Sequence, residues 1–264
     1  MEEGRMTSVA LTEQASTARR RMPNRITAVF RLHFVTIATT IAVPWLILAI
    51  IFAANYVIWW IIARSVSDPA DLADAQEGFS YSGATFYIFV YMMIVAVQAI
   101  NLTFAFAQGY SVTRRDFYLG TSLAFVALAV MYAAGLTVLS YLEEVTGGWG
   151  LGGRMFTSVY YGNGEWYVRF PLFLAIFLFF FFVGAATATV YVRWRSHGMV
   201  ALFAALTLVL AAAAALVTLT ESWGAVGEWF ARNGANGVIL WSLVPTVVSA
   251  AAGYFVLQRA TPRN

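Results

Sequence analysis

Apolar residues run along this chain in six long blocks without a charge, at 34–63, 82–108, 117–141, 170–192, 199–220 and 238–257. A bilayer core about 30 Å thick needs about 20 consecutive apolar residues in a helix, so each block predicts one span. Within a block the apolar positions are continuous, and no helical face is kept for water. The pattern predicts an all-α integral membrane protein of six transmembrane helices. The first block starts too late and runs too long for a cleaved signal sequence. Pro44 is placed to kink it, and Tyr56, Trp59 and Trp60 suit an outer interface.

The polar positions between the blocks predict the remaining elements. Ahead of the first span, Ile26, Val29 and Phe30 share one helical face, with Arg25 at its edge and Arg31 opposite. This predicts an amphipathic helix lying in the inner interface. Trp223, Val226, Trp229 and Phe230 fall at i, i+3, i+6 and i+7, which predicts a short external helix before the last span. Residues 65–81 read as a polar external loop. Residues 146–161 read as another, and Gly147, Gly148, Gly150, Gly152 and Gly153 predict that it is mobile. The chain divides into an N-terminal segment 1–33, a transmembrane domain 34–258 and a tail 259–264.

Composition sharpens this picture mainly by what it removes. With 61% hydrophobic and only 11% charged residues, the chain has too much apolar surface for one water-soluble core. All 16 basic residues are arginine. Without lysine there is no GxxxxGK[ST] phosphate loop, so this chain is not expected to hydrolyse ATP. There is no cysteine, and His33 and His197 lie beside arginines at the edges of spans, so no metal site is expected. No acid, base or histidine falls inside a span, which argues against a proton-driven or sodium-driven carrier. The arginines also set an orientation. With both termini cytoplasmic, twelve lie inside, and Arg64, Arg154, Arg169 and Arg232 lie outside.

Two polar patches stand out. Gln98 and Asn101, three residues apart in the second span, face the same way and suit either helix-to-helix hydrogen bonds or a substrate contact. The segment 108–120, QGYSVTRRDFYLG, joins spans two and three. Gly109 can end one helix there. Thr113 followed by Asp116 is a variant of the capping box that starts the next, and Arg114, Arg115, Phe117 and Tyr118 then form a basic and aromatic knob at the inner surface.

Gly109, the Thr113-Arg114-Arg115-Asp116 run, Phe117 and the following Gly120 resemble the permease subunits of ABC transporters of the ABC-2 type. With the six spans, the amphipathic segment at 25–33 and the short helix before the last span, the resemblance extends over most of the chain. It implies that residues 109–120 are the coupling segment that docks on a separate ATPase subunit, with Gly109, Thr113, Arg114, Arg115, Asp116 and Phe117 at the matching positions. It further implies a pair of permease subunits working in export from a bacterial plasma membrane, with ATP and magnesium on the partner and no cofactor on this chain. The expected partners are that ATPase, a second permease copy and lipid, with no nucleic acid. The glycine-rich loop 146–161 departs from the family pattern. Two rivals stand beside this reading: a non-transporting accessory or immunity protein, and a secondary carrier.

Overall fold

The computed structural model describes residues 25–162 and 164–260. The polar start of the chain and residues 261–264 of the expected tail lie outside them. The elements are α1 (Arg25–Leu32), α2 (Val43–Ser65), α3 (Pro69–Phe79), α4 (Phe86–Gly109), α5 (Arg114–Val145), α6 (Trp166–Leu219), α7 (Trp223–Trp241) and α8 (Leu243–Gln258). Among the described residues five helices are long and apolar enough to cross a membrane. That is one fewer than the six apolar blocks, because 170–192 and 199–220 both fall within the continuous 54-residue stretch α6, which is two helical arms joined without a loop. The six residues between those blocks form no separate loop, and the chain breaks helical geometry at one point, Arg195 (φ 56°, ψ −146°). The last block, 238–257, straddles the junction of α7 with α8 and is continuous with the helix before it.

The core lies between α4, α5 and the first arm of α6, 166–194. Phe89, Phe125, Tyr132, Phe173, Phe177 and Phe181 are fully buried there. Phe125 stacks on Phe181 with centroids 5.1 Å apart, and Phe89 meets Phe177 at 4.7 Å. Close approach of α4 to α6 depends on Gly184, where a Cβ would stand 2.7 Å from the Met93 carbonyl oxygen. Small residues serve in the same way where membrane helices pack, since little hydrophobic force draws them together in lipid. From Val190 to Pro245, by contrast, no residue is buried. The second arm of α6 and most of α7 make their surface available to whatever surrounds the bundle.

The proline at position 44, expected to kink the first span, lies instead at the start of α2, where it is tolerated. A π-helical turn, Ala38–Ala42, precedes α2 and puts Pro44 in its first turn. Proline has no N–H to give the Thr40 carbonyl four residues back. The Tyr132 hydroxyl of α5 donates to that carbonyl at 2.7 Å, so the irregular turn is pinned to the core.

Helix α1 packs its apolar face on protein. Val29 is buried against the start of α5 at Gly120, and His33 just beyond the helix is buried with Nε2 2.9 Å from Thr121 Oγ1. Burial pushes the imidazole pKa down from 6.5 to about 4. Between these values the unfolded chain takes up a proton that the folded chain refuses, so stability falls as pH drops from 6.5 and levels off near 4. Lowering pH from 7 to 5 is expected to cost about 2 kcal/mol of stability. Thermal midpoints at the two pH values read this directly. His33→Gln is expected to remove the difference, and an unchanged slope in that variant rules out His33 as its origin.

Candidate functional site

The helices hold two polar ends apart. Helix α5, 32 residues long, extends about 48 Å at 1.5 Å per residue, more than a bilayer core is thick. One end carries the turn that the sequence singles out, and the other carries the glycine-rich loop.

At the turn, Gly109 closes α4, and Ser111 reverses the chain at φ 57°. Gln108 Nε2 donates to the Val112 carbonyl at 3.0 Å and holds the turn shut. Thr113 caps α5, its hydroxyl accepting from the Asp116 N–H at 3.1 Å, and Asp116 places negative charge in the first turn, where the helix dipole favours it. The two arginines differ. Arg115 is exposed, whereas Arg114 is half-buried and its Nη1 donates to the Gln258 carbonyl at the end of α8, at 2.6 Å. The aromatic pair departs from the expected knob. Phe117 is fully buried against Phe104 (5.4 Å between centroids), and Tyr118 is buried with its hydroxyl donating to the Ala250 carbonyl of α8 at 2.6 Å. Apolar rings at the first turn of a packed helix gain more from the core than from the surface, so they stiffen the turn from within.

Gln98 and Asn101 do not converge on a cavity at either end. Gln98 is exposed on α4. Asn101 is half-buried, and its Oδ1 is sealed from solvent with no partner among the described residues. The residues expected on an external helix lie on α7, which breaks at Gly234 (φ 59°). Trp223 and Phe230 are exposed, Val226 and Trp229 half-buried, and the Trp223 indole donates to Thr218 Oγ1 at 3.1 Å.

The loop end reverses the sequence expectation. Residues 147–161 are tied down, and the knot is Glu143, which is 1% exposed. Its carboxylate accepts from the Trp149 indole (3.0 Å), from the backbone N–H groups of Met155 (3.0 Å), Phe156 (3.0 Å) and Thr157 (2.8 Å), and from the Thr157 hydroxyl (2.7 Å). A buried carboxyl group without a cationic partner is costly unless its oxygens are hydrogen-bonded, and here both are. The glycines let the chain wind around it: Gly147, Gly148, Gly150 and Gly152 all have φ between 62° and 76°, where a side chain is strained. The loop is also tied to its neighbours. Gln76 of α3 donates to the Leu151 carbonyl (3.2 Å), and Thr85 donates to the Met155 carbonyl (2.8 Å).

Beneath this loop lies a cleft of about 870 Å³ with a charged lining: Glu77, Glu143, Glu144, Glu165, Arg154 and Arg169. Arg169, in the first turns of α6, is 6% exposed and pairs through Nη2 with Glu144. Its Nε and Nη1 have no partner among the described residues. On the other side of the loop an apolar groove of about 450 Å³ is lined by Trp45, Phe52, Trp149 and Phe156, among others. No pattern of spacing announces the cleft, because Glu143 and Glu144 resemble any acids at the end of a span, and their partners lie up to 25 residues further along. The described residues hold no group of three or more acids and histidines arranged for a metal.

Neither family models, curated proteins nor solved structures give a match to this chain.

Proposed function

We propose that this chain is the permease subunit of an ATP-driven transporter of the ABC-2 kind, driven by a separate ATPase seated on residues 109–120. The observation that supports it is the double tie from the first turn of α5 to α8, Arg114 to the Gln258 carbonyl and Tyr118 to the Ala250 carbonyl. A displacement imposed on the turn moves two membrane helices together, which is what conversion of a nucleotide-driven stroke into a change of bundle shape demands. The exposed Arg115 is the contact to the partner, and Arg114 is the tie that passes the motion on.

In this reading both arms of α6 cross the bilayer. A straight helix of 54 residues would run about 81 Å, so the chain turns back at Arg195 and the number of spans is six. The termini and the 109–120 turn then share the cytoplasmic side of a bacterial plasma membrane, and the glycine-rich loop faces outward. ATP and magnesium bind the partner, and a second copy of the permease completes the pathway.

Two variants test the assignment in a reconstituted complex. Arg115→Glu is expected to leave the thermal midpoint unchanged while cutting transport at least tenfold per ATP hydrolysed. Arg114→Glu is expected to lower the midpoint as well, because it loosens α8. Full transport by the folded Arg115→Glu variant overturns the docking claim. The firmly knotted outer loop also suits a non-transporting accessory protein that presents a fixed surface. Purification from the native host distinguishes them, since only the permease brings a stoichiometric ATPase with it.

A further inference from the structure

We infer that the cleft beneath the glycine-rich loop is a binding site for a zwitterionic group, one that carries an anionic oxygen and an ammonium a few bonds apart. The anionic oxygen seats on Arg169 and the ammonium faces Glu77 and Glu165. Arg169 points to a ligand by its chemistry. A guanidinium has five N–H donors, and here two of its three nitrogens have no partner although the residue is more than nine-tenths buried and lines the cleft. Buried donors of this kind are ordinarily satisfied. Both nitrogens are sealed from solvent, so an incoming phosphate or carboxylate oxygen satisfies them by a charge-assisted hydrogen bond only as the cleft wall opens to admit it.

The other charges decide between an anion and a zwitterion. The Glu143 carboxylate is consumed by its five donor groups, while Glu144 gives one oxygen to Arg169 and keeps the other exposed beside Glu77 and Glu165. Glu77 and Glu165 are exposed and make no ion pair among the described residues. A bare anion approaching Arg169 meets these two carboxylates, and a bare cation meets Arg169 and Arg154. A molecule with both charges complements both, and its oxygen and ammonium each find a partner of opposite sign. The chemistry is shared by soluble zwitterions and by the head of an aminophospholipid. The apolar groove across the loop, walled by Trp149 and Phe156, is of the kind that accepts a hydrocarbon chain.

This inference does not rest on the permease reading, because binding is measured on this chain without ATP or partner. The full chain in detergent is titrated calorimetrically with phosphoethanolamine, inorganic phosphate and ethylamine. Saturable binding of phosphoethanolamine, at least tenfold tighter than either fragment, is expected. The double variant Glu77→Gln and Glu165→Gln changes only exposed side chains and is expected to weaken phosphoethanolamine at least tenfold while leaving phosphate unaffected or tighter. Arg169→Gln, if it folds, abolishes binding of both. No phosphoethanolamine binding, or equal affinity for phosphate, overturns the inference, and so does an unaltered affinity in the double variant. Nanodiscs of phosphatidylethanolamine and of phosphatidylglycerol then separate the sources. Phosphoethanolamine titrated onto the chain in each nanodisc gives the answer: weaker apparent affinity in phosphatidylethanolamine, where the lipid competes, marks a lipid head, and equal affinity in both marks a soluble ligand.

Discussion

Glu143→Ala lowers the thermal midpoint further than any other single change in the loop and exposes residues 146–161 to protease. The substitution leaves four backbone or indole N–H donors and one hydroxyl without their acceptor in a largely buried site. Each hydrogen bond to a charged group contributes about 1.5–3 kcal/mol, and the bonds are not additive. A net loss on the order of 4 kcal/mol follows, similar to removing one partner from a buried ion pair. Glu143→Gln keeps the volume but turns an NH₂ toward the donors, so about half that loss is expected. Trypsin supplies the readout, because Arg154 lies within the loop and is exposed, but is cleaved only when the backbone around it opens. Wild-type cleavage rates at Arg154 in the alanine variant would show that the glycines, and not the carboxylate, hold the loop.

The second large effect lies in the membrane core. Gly184→Leu drives a side chain into the Met93 backbone carbonyl, the Met93 side chain at 3.0 Å and the Ala96 Cβ at 3.3 Å. None of these is a free chain end that can swing away, so α4 and α6 have to separate and the Phe89 and Phe177 rings with them. Overpacking of this kind costs about 3 kcal/mol at a site where backbone must move. Gly227→Ala is the control. Its Cβ meets nothing within 4 Å in α7, so it is neutral or slightly stabilising through helix propensity. Unfolding midpoints of the two variants in one detergent decide the matter, and a Gly184→Leu protein as stable as the Gly227→Ala protein contradicts the packing described.

The helices were legible because the lipid requirement is a matter of length and polarity, which a sequence states directly. Five of the expected elements need nothing more than an unbroken apolar run. Legibility ended where the chain uses one backbone torsion in place of a loop. Arg195 carries a positive φ without being glycine, and nothing in Arg193-Trp194-Arg195-Ser196-His197 signals it. At the turn, Thr113 and Asp116 were readable as a cap because capping is local, spanning three residues. The inward rotation of Phe117 was not, since it depends on Phe104 of α4 and on His33 beyond the end of α1. The cleft was hidden for the same reason in a stronger form. Its glycines signal freedom in isolation, and only the placement of Glu143 among donors 6 to 14 residues away turns that freedom into a fixed shape.

The bond between His33 and Thr121 joins residues 88 apart in the chain. A ribosome adding about 5–20 residues per second makes Thr121 roughly 4–18 s after His33. For that interval α1 has an apolar face and no helix to lay it on. The apolar face of this segment therefore waits for a helix that is made seconds later, and its packed position on α5 belongs to the finished chain.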